Sequence, residues 1–253
     1  MIVCLAITAC ALAPASAGAS AVRPPVSLVA SPARISLVGT ARQTIRVANT
    51  GASAVVVDVA RAGFVLDLRG RPRVAARPAA PWLHVRPLRL ALAPGRQASL
   101  TVDTAPSPRA GPGDHGALVL LTTERRRSRA LAIRMRLGVV VVLRVPGRIV
   151  RRLVPLRIRV RRAGRVRVLV LTLANLGNVT ETVDRRCVSV ALVRRGRVLA
   201  RLRPARRDLL PRTRGIVELR YRGTVHGRVR AVVPRTAGLV CPRRPGRSFV
   251  VRL

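Results

Sequence analysis

Three histidines, nine acidic residues and four cysteines supply the acid–base, metal and redox side chains of this 253-residue chain. His84, His115 and His226 fall on three different predicted segments. Asp114-His115 has the residue types of an acid–base pair, but Pro112-Gly113 sets it in a turn, where solvated polar side chains are ordinary. There is no G-x-S-x-G elbow, no phosphate loop and no dinucleotide fingerprint. The acids are too scattered for a calcium loop. Cys4 and Cys10 lie in an apolar N-terminal segment, which leaves Cys187 and Cys241. Neither has a Cys-x-x-Cys partner or a histidine at ligand spacing, so no metal site is expected. In an exported chain such an even pair reads as a disulfide. The chain is therefore expected to be no enzyme and to need no cofactor.

Charge is the second chemical resource. All 49 basic residues are arginine, and the formal net charge is +40. Its distribution is uneven: 13 arginines and five acids up to Glu124, 36 arginines and four acids beyond it. Much of the arginine alternates with apolar residues. Leu156, Ile158 and Val160 alternate with Arg157, Arg159 and Arg161, which puts the three guanidiniums on one face of a strand. That row is either a solvated strand face or a site for a polyanion. Nucleic acid is not the expected polyanion, because aromatics are 2% of the chain and no reading motif is present.

These side chains need elements to position them. Period-2 alternation recurs throughout, and helical periodicity does not. The most informative stretch is Ala80 to Gly95, with the only tryptophan, Trp82, as an expected core anchor. Leu83 and Val85 alternate with His84 and Arg86. Pro87 ends that ladder, since it has no N–H. Leu88, Leu90 and Leu92 then alternate with Arg89 and Ala91 before a Pro94-Gly95 turn. Two short strands about a proline suit a sandwich edge that changes sheets. Strands are predicted at Val26–Ala30, Arg42–Ala48, Ala54–Ala60, Phe64–Leu68 and Ala117–Thr123 among others, with a loop over Arg71–Pro81. The apolar run Gly138 to Val145 has the length of a buried strand.

The pattern W-L-x-V-x-P-x-x-L-x-L-x-P-G from Trp82, with Ile45 to Val59 upstream, resembles bacterial secreted immunoglobulin-like domains. It is similar to the pilus-chaperone type and to the N-terminal domain of WxL-interacting cell-surface proteins. The resemblance covers roughly Val26 to Val145 and implies fold more than activity. The WxL-interacting type implies a C-terminal membrane helix, for which this chain shows no candidate, so no transmembrane anchor is expected.

Beyond Pro146-Gly147 the grammar repeats: a strand, Asn175-Leu176-Gly177-Asn178, then another strand, as Asn49-Thr50-Gly51 does earlier. Arg194 to Arg197 reads as a hairpin turn. The expected architecture is all-β: two tandem immunoglobulin-like β-sandwiches, residues 22–147 and 148–253, after a signal peptide at 1–21. Ala15-Ser16-Ala17 and Ala17-Gly18-Ala19 are its cleavage candidates. A charged n-region is missing, so the true start is expected upstream or the signal is truncated. A lipoprotein reading through Cys10 is the runner-up. The expected function is an exported, non-enzymatic binding or structural module, secreted or at the cell surface, that contacts an envelope polyanion or a surface protein. The alternative is an assembly chaperone that works by strand complementation at an open sheet edge, for which Gly138 to Val145 is the candidate, with a basic cleft for its partner's carboxyl end.

Overall fold

Among the described residues every regular element is a β-strand. The computed structural model describes residues 24–75, 80–124, 126–127, 132–164, 166–184, 188–235 and 244–253. The expected signal segment with Cys10, and both Cys187 and Cys241 with their disulfide, lie outside them, as does most of the basic tip Arg125–Arg129.

The first half of the chain contributes β1 (Leu28–Ser31), β2 (Arg34–Val38), β3 (Ala41–Asn49), β4 (Val55–Leu66), β5 (Pro72–Val74), β6 (Leu83–Arg86), β7 (Arg89–Leu92), β8 (Gln97–Thr104), β9 (Gly113–Thr123), β10 (Arg126–Arg127), β11 (Ala132–Ile133) and β12 (Arg136–Val145). One sheet runs β1-β3-β8-β6; the facing sheet runs β2-β12-β9-β4, with β5 and β7 both on the far side of β4. Alternation drives the packing. Ile45, Leu83 and Leu100 from one sheet and Val57, Leu121 and Val141 from the other are fully buried between them. Each such side chain contributes roughly 1.5–3 kcal/mol of burial.

The second half contributes β13 (Leu153–Ala163), β14 (Val166–Asn175), β15 (Glu181–Val183), β16 (Val190–Arg194), β17 (Arg197–Leu202), β18 (Arg207–Leu209), β19 (Arg214–Tyr221), β20 (Arg228–Arg235) and β21 (Arg244–Arg252). The sheet β13-β14-β19 faces β17-β16-β20-β21, and β15 pairs β18 beside them. Leu169, Leu171 and Leu219 pack there against Val190, Leu192 and Ala231. The β16–β17 hairpin closes through Arg195 and Gly196, both at positive φ, the backbone a two-residue turn requires. Among the described residues no helix is long and apolar enough to cross a membrane.

The chain changes sheets at Pro87: β6 pairs β8, whereas β7 pairs β4. The same device operates at Pro32, where β1 pairs β3 and β2 crosses to run parallel to β12. Both X–Pro bonds are cis. Sequence reading missed β2, whose five residues sit between two turn signals. It also missed β5 within the expected loop Arg71–Pro81, and β18. Conversely, the strands expected at Ala54–Ala60 and Phe64–Leu68 are one element. Arg61 to Gly63 continue the β9 ladder through the expected gap.

The repeated Asn-x-Gly grammar has one structural meaning in both sandwiches. Asn49 and Asn175 are each 0% exposed. Asn49 Nδ2 donates to the carbonyls of Ser53 and Leu92 at 2.8 and 3.0 Å, and its Oδ1 accepts from Gly51 N at 3.0 Å. Asn175 Nδ2 donates to Val179 O at 2.7 Å, with Leu209 O and Leu210 O at 3.1 and 3.2 Å, and its Oδ1 accepts from Gly177 N at 2.9 Å. The glycine is needed because another segment's backbone lies against it. A Cβ on Gly51 would sit 2.7 Å from Ser27 N, and one on Gly177 2.3 Å from Val150 O.

Candidate functional site

β12 is half covered. Its Val140 to Arg144 lie between β9 and β2, so most of the valine run is interior, as its composition suggests. β2 starts at Arg34, opposite Val140. Arg136 to Val139 therefore pair β9 on one side and, among the described residues, no strand on the other. Along this open stretch Met135, Leu137 and Val139 turn towards the first core, with Met135 and Leu137 only half-buried, while Arg134, Arg136 and Gly138 face solvent. Unpaired backbone plus alternating apolar side chains is a template for one more strand.

The open edge leads towards the junction of the two sandwiches. A cleft of about 340 Å³ there is lined by Arg34, Arg69, Arg206, Arg207 and Asp208. Phe64, Val140 and Val142 form part of its apolar wall. Four arginines against one aspartate leave it strongly positive. Arg34 pairs with Asp208 across the cleft. Arg69 and Arg206 have no carboxylate partner among the described residues. Arg207 is a strut: its Nη1 donates to Ile216 O at 2.7 Å and its Nη2 to Leu68 O of the other sandwich at 2.8 Å. Burial pulls its pKa below the usual arginine value. Leu68 O also accepts from Ile216 N at 2.8 Å. Asp67 holds the turn that presents this carbonyl, accepting from the backbone N–H groups of Arg71 and Arg69. Its carboxyl is kept below the ordinary range chiefly by the Arg71 N–H bond.

A second set of contacts fixes the junction beside this cleft. Asp114 N donates to Asn178 O at 2.8 Å. Asn178 Nδ2 donates to Pro112 O and Arg148 O at 2.9 and 2.8 Å, and its Oδ1 accepts from Val150 N at 2.7 Å. The Asp114 side chain is 3% exposed and takes both Arg144 Nε (2.7 Å) and Nη2 (3.0 Å), along with Thr180 N at 2.7 Å. Burial alone would raise its pKa; the Arg144 and Thr180 hydrogen bonds outweigh that and hold it below the usual value. Glu181 nearby goes the other way, raised by burial although Arg151 lies 3.2 Å from it.

These opposite shifts have opposite signs in stability. The Asp114 contribution is fully present above the unfolded value of about 3.9 and is lost as pH falls through its lower folded value. The Glu181 contribution is present below about 4.3 and is lost as pH rises through its higher folded value. Amide exchange separates them, because Thr180 N–H bonds Asp114 directly. Its protection is expected to drop as pH falls below about 4 in the wild type. In Asp114→Asn protection should already be low at neutral pH and show no such step. A wild-type Thr180 amide with no acid step refutes this assignment.

The other sequence candidates are scattered. Arg157, Arg159 and Arg161 are exposed on the outer face of β13. Trp82 is half-buried in the turn before β6, against the first core. Asp114 and His115 lie in β9, opposite Arg144 and Leu143, and not in the expected turn; His115 Nε2 hydrogen-bonds Gly111 O at 2.8 Å and so turns from the Asp114 carboxylate, which belongs to the junction. Arg167 Nη2 donates to His226 Nδ1. Sequence reading passed over Arg34 and Arg207. The alternation Arg34-Ile35-Ser36-Leu37 was a usable signal for the first, and nothing local marks the second.

The sequence matches no protein-family model and no curated relative. Solved structures do share the fold. A chain of the chaperone–tip adhesin complex of CFA/I fimbriae biogenesis superposes with a TM-score of 0.50 at 10% identity, over 89% of this chain and 98% of that one. The class 5 fimbriae chaperone CfaA gives 0.49 at 10% identity, over 89% and 99%. The E. coli chaperone DraB gives 0.44 at 13% identity, over 90% and 99%. At 10% identity the first of these likenesses is one of fold alone: two tandem immunoglobulin-like β-sandwiches.

Proposed function

We propose that this chain is an exported assembly chaperone for surface subunits, acting by strand complementation. The observation that carries the reading is the open stretch Arg136–Val139 of β12, where the sheet stops one strand short above alternating Met135, Leu137 and Val139. A subunit that lacks a strand of its own would pair with that edge through backbone hydrogen bonds and seat its side chains between the apolar ones. The arginines of the junction cleft suit a terminal carboxylate, since a guanidinium binds carboxylate bidentately. Arg69 and Arg206 are the ones free to take it. This reading explains the exposed edge better than a passive surface module does, because a module with no strand to accept gains nothing from leaving it open. Export by residues 1–21 belongs to the same proposal, as does the partner class of surface protein.

The test places a photo-crosslinking residue at Gly138, on the open edge. Crosslinks to an envelope or surface subunit are expected, mapping to one extended segment of it. Leu137→Arg should reduce capture at least tenfold, while Val250→Arg, on an exposed face elsewhere, leaves it unchanged. Crosslinks unaffected by Leu137→Arg overturn the reading.

A further inference from the structure

The outer face of β13-β14-β19 carries arginines that line neither the open edge nor the junction cleft. Its register sets Arg157 beside Thr172 and Ile216, Arg159 beside Val170 and Glu218, and Arg161 beside Val168 and Arg220, with Arg214 at the end of the β19 row. β14 carries only short side chains on this face, and Val168 and Thr172 are buried. The face is therefore a trough. Its floor is Val168, Val170 and Thr172; its rails are the arginines of β13 and β19, about 10 Å apart across two strand spacings. Along β13 the arginines recur every 7 Å or so.

Charge on this face is poorly compensated. Five arginines share one acid, Glu218, which lies 3.1 Å from Arg161. Among the described residues Arg157 has only the Thr172 hydroxyl, at 3.5 Å. Arg159 and Arg220 have no carboxylate at ion-pair distance among the described residues. The like charges lie within a Debye length of about 8 Å of their neighbours, so they repel until an anion sits between them. Arginine presents a planar fork to phosphate, which a strand of lysines would not. No aromatic stands on the face, because Tyr221 is buried in the core row. A partner read here is thus read through its backbone charge and not by base stacking.

We propose that this trough binds a linear phosphodiester polymer without bases, of the polyol-phosphate kind found in bacterial envelopes. The chain lies along β14, and successive phosphates meet the arginine rails.

The experiment titrates the full chain with poly(glycerol phosphate), heparin and single-stranded DNA of matched charge between 50 and 200 mM salt. Binding of poly(glycerol phosphate) is expected to fall with a log–log slope of about −3, for four or five contacts at roughly 0.7 each. The triple variant Arg157→Gln, Arg159→Gln, Arg161→Gln should lose about 2 of that slope and at least roughly tenfold in affinity. Arg220→Gln tests the opposite rail without touching the edge strand and should lose about 0.7 of slope. The charge-matched control Arg197→Gln, Arg201→Gln, Arg203→Gln should keep the wild-type slope. Equal losses in the control mean a diffuse field and overturn the proposal. So do tighter binding of heparin or single-stranded DNA, binding insensitive to salt, and absence of binding.

Discussion

Asn175→Ala is expected to destabilise the second sandwich by about 3–5 kcal/mol, with the first left almost untouched. The side chain is 0% exposed and supplies hydrogen-bond donors to the carbonyls of Val179, Leu209 and Leu210. It also accepts from Gly177 N, which fixes the turn. Alanine removes all of this at once, and each buried polar group left without a partner costs about 1–3 kcal/mol. Asn175→Asp should be worse. It keeps the acceptor for Gly177 but turns a carboxylate oxygen towards carbonyl oxygens in a buried site. Thermal unfolding with two readouts checks this. Far-ultraviolet circular dichroism follows both sandwiches. Fluorescence of Trp82, packed on the first core, follows one. The variant should melt more than about 10 °C early by circular dichroism while Trp82 holds its wild-type midpoint. Asn49→Ala, with two carbonyl partners, should reverse the pattern. Coincident shifts in both readouts would show that the two asparagines do not act locally.

Gly113→Ala is the second large effect, and it strikes the junction. Gly113 holds φ +122, and a Cβ there would lie 2.1 Å from Asn178 O. The carbonyl cannot retreat without breaking the Asp114 N–H bond it accepts and pulling on Asn178, which also ties Pro112 and Arg148. Backbone strain of roughly 1–3 kcal/mol adds to the lost contact. Each sandwich should stay folded while their mutual orientation loosens. Spin labels at Leu88 and Val198, one on each sandwich, should report a broadened distance distribution. Gly111→Ala is the control, since nothing lies within 4 Å of its Cβ position and its φ is not positive. A sharp, unchanged distance in Gly113→Ala would remove the junction role.

What the sequence disclosed was periodic or punctuated. The alternation over Leu156 to Val160 and Val217 to Tyr221, the sheet change at Pro87 and the repeated Asn-x-Gly turns could be read because each is a short-range rule. What stayed hidden depends on distant partners. β2 alternates Ile35 and Leu37, but only its parallel partner β12, about a hundred residues later, stabilises so short an element. Asp114 looked like half of an acid–base pair because His115 follows it. Its real partners, Arg144 and Thr180, are 30 and 66 positions away. The edge expected of a chaperone over Gly138 to Val145 is covered by β2 from Val140 onward, and the open stretch is Arg136 to Val139 instead. A strand's apolar run says that it is buried, and says nothing of how far its neighbour reaches along it. The disulfide expectation for Cys187 and Cys241 falls outside the described residues.

The pairing of β2 with β12 also sets an order of events in time. These are the second and the last strands of the first sandwich, and they lie side by side in one sheet. A chain delivered from its N-terminus, through a ribosome tunnel or an export pore, presents Arg34–Val38 long before Arg136–Val145. Until the later strand arrives, β2 has no ladder to join, and the loop to be closed is nearly the whole domain. The first sandwich therefore cannot complete itself during the first half of delivery. Its apolar faces wait, and the last strand to arrive is the one that keeps an edge open.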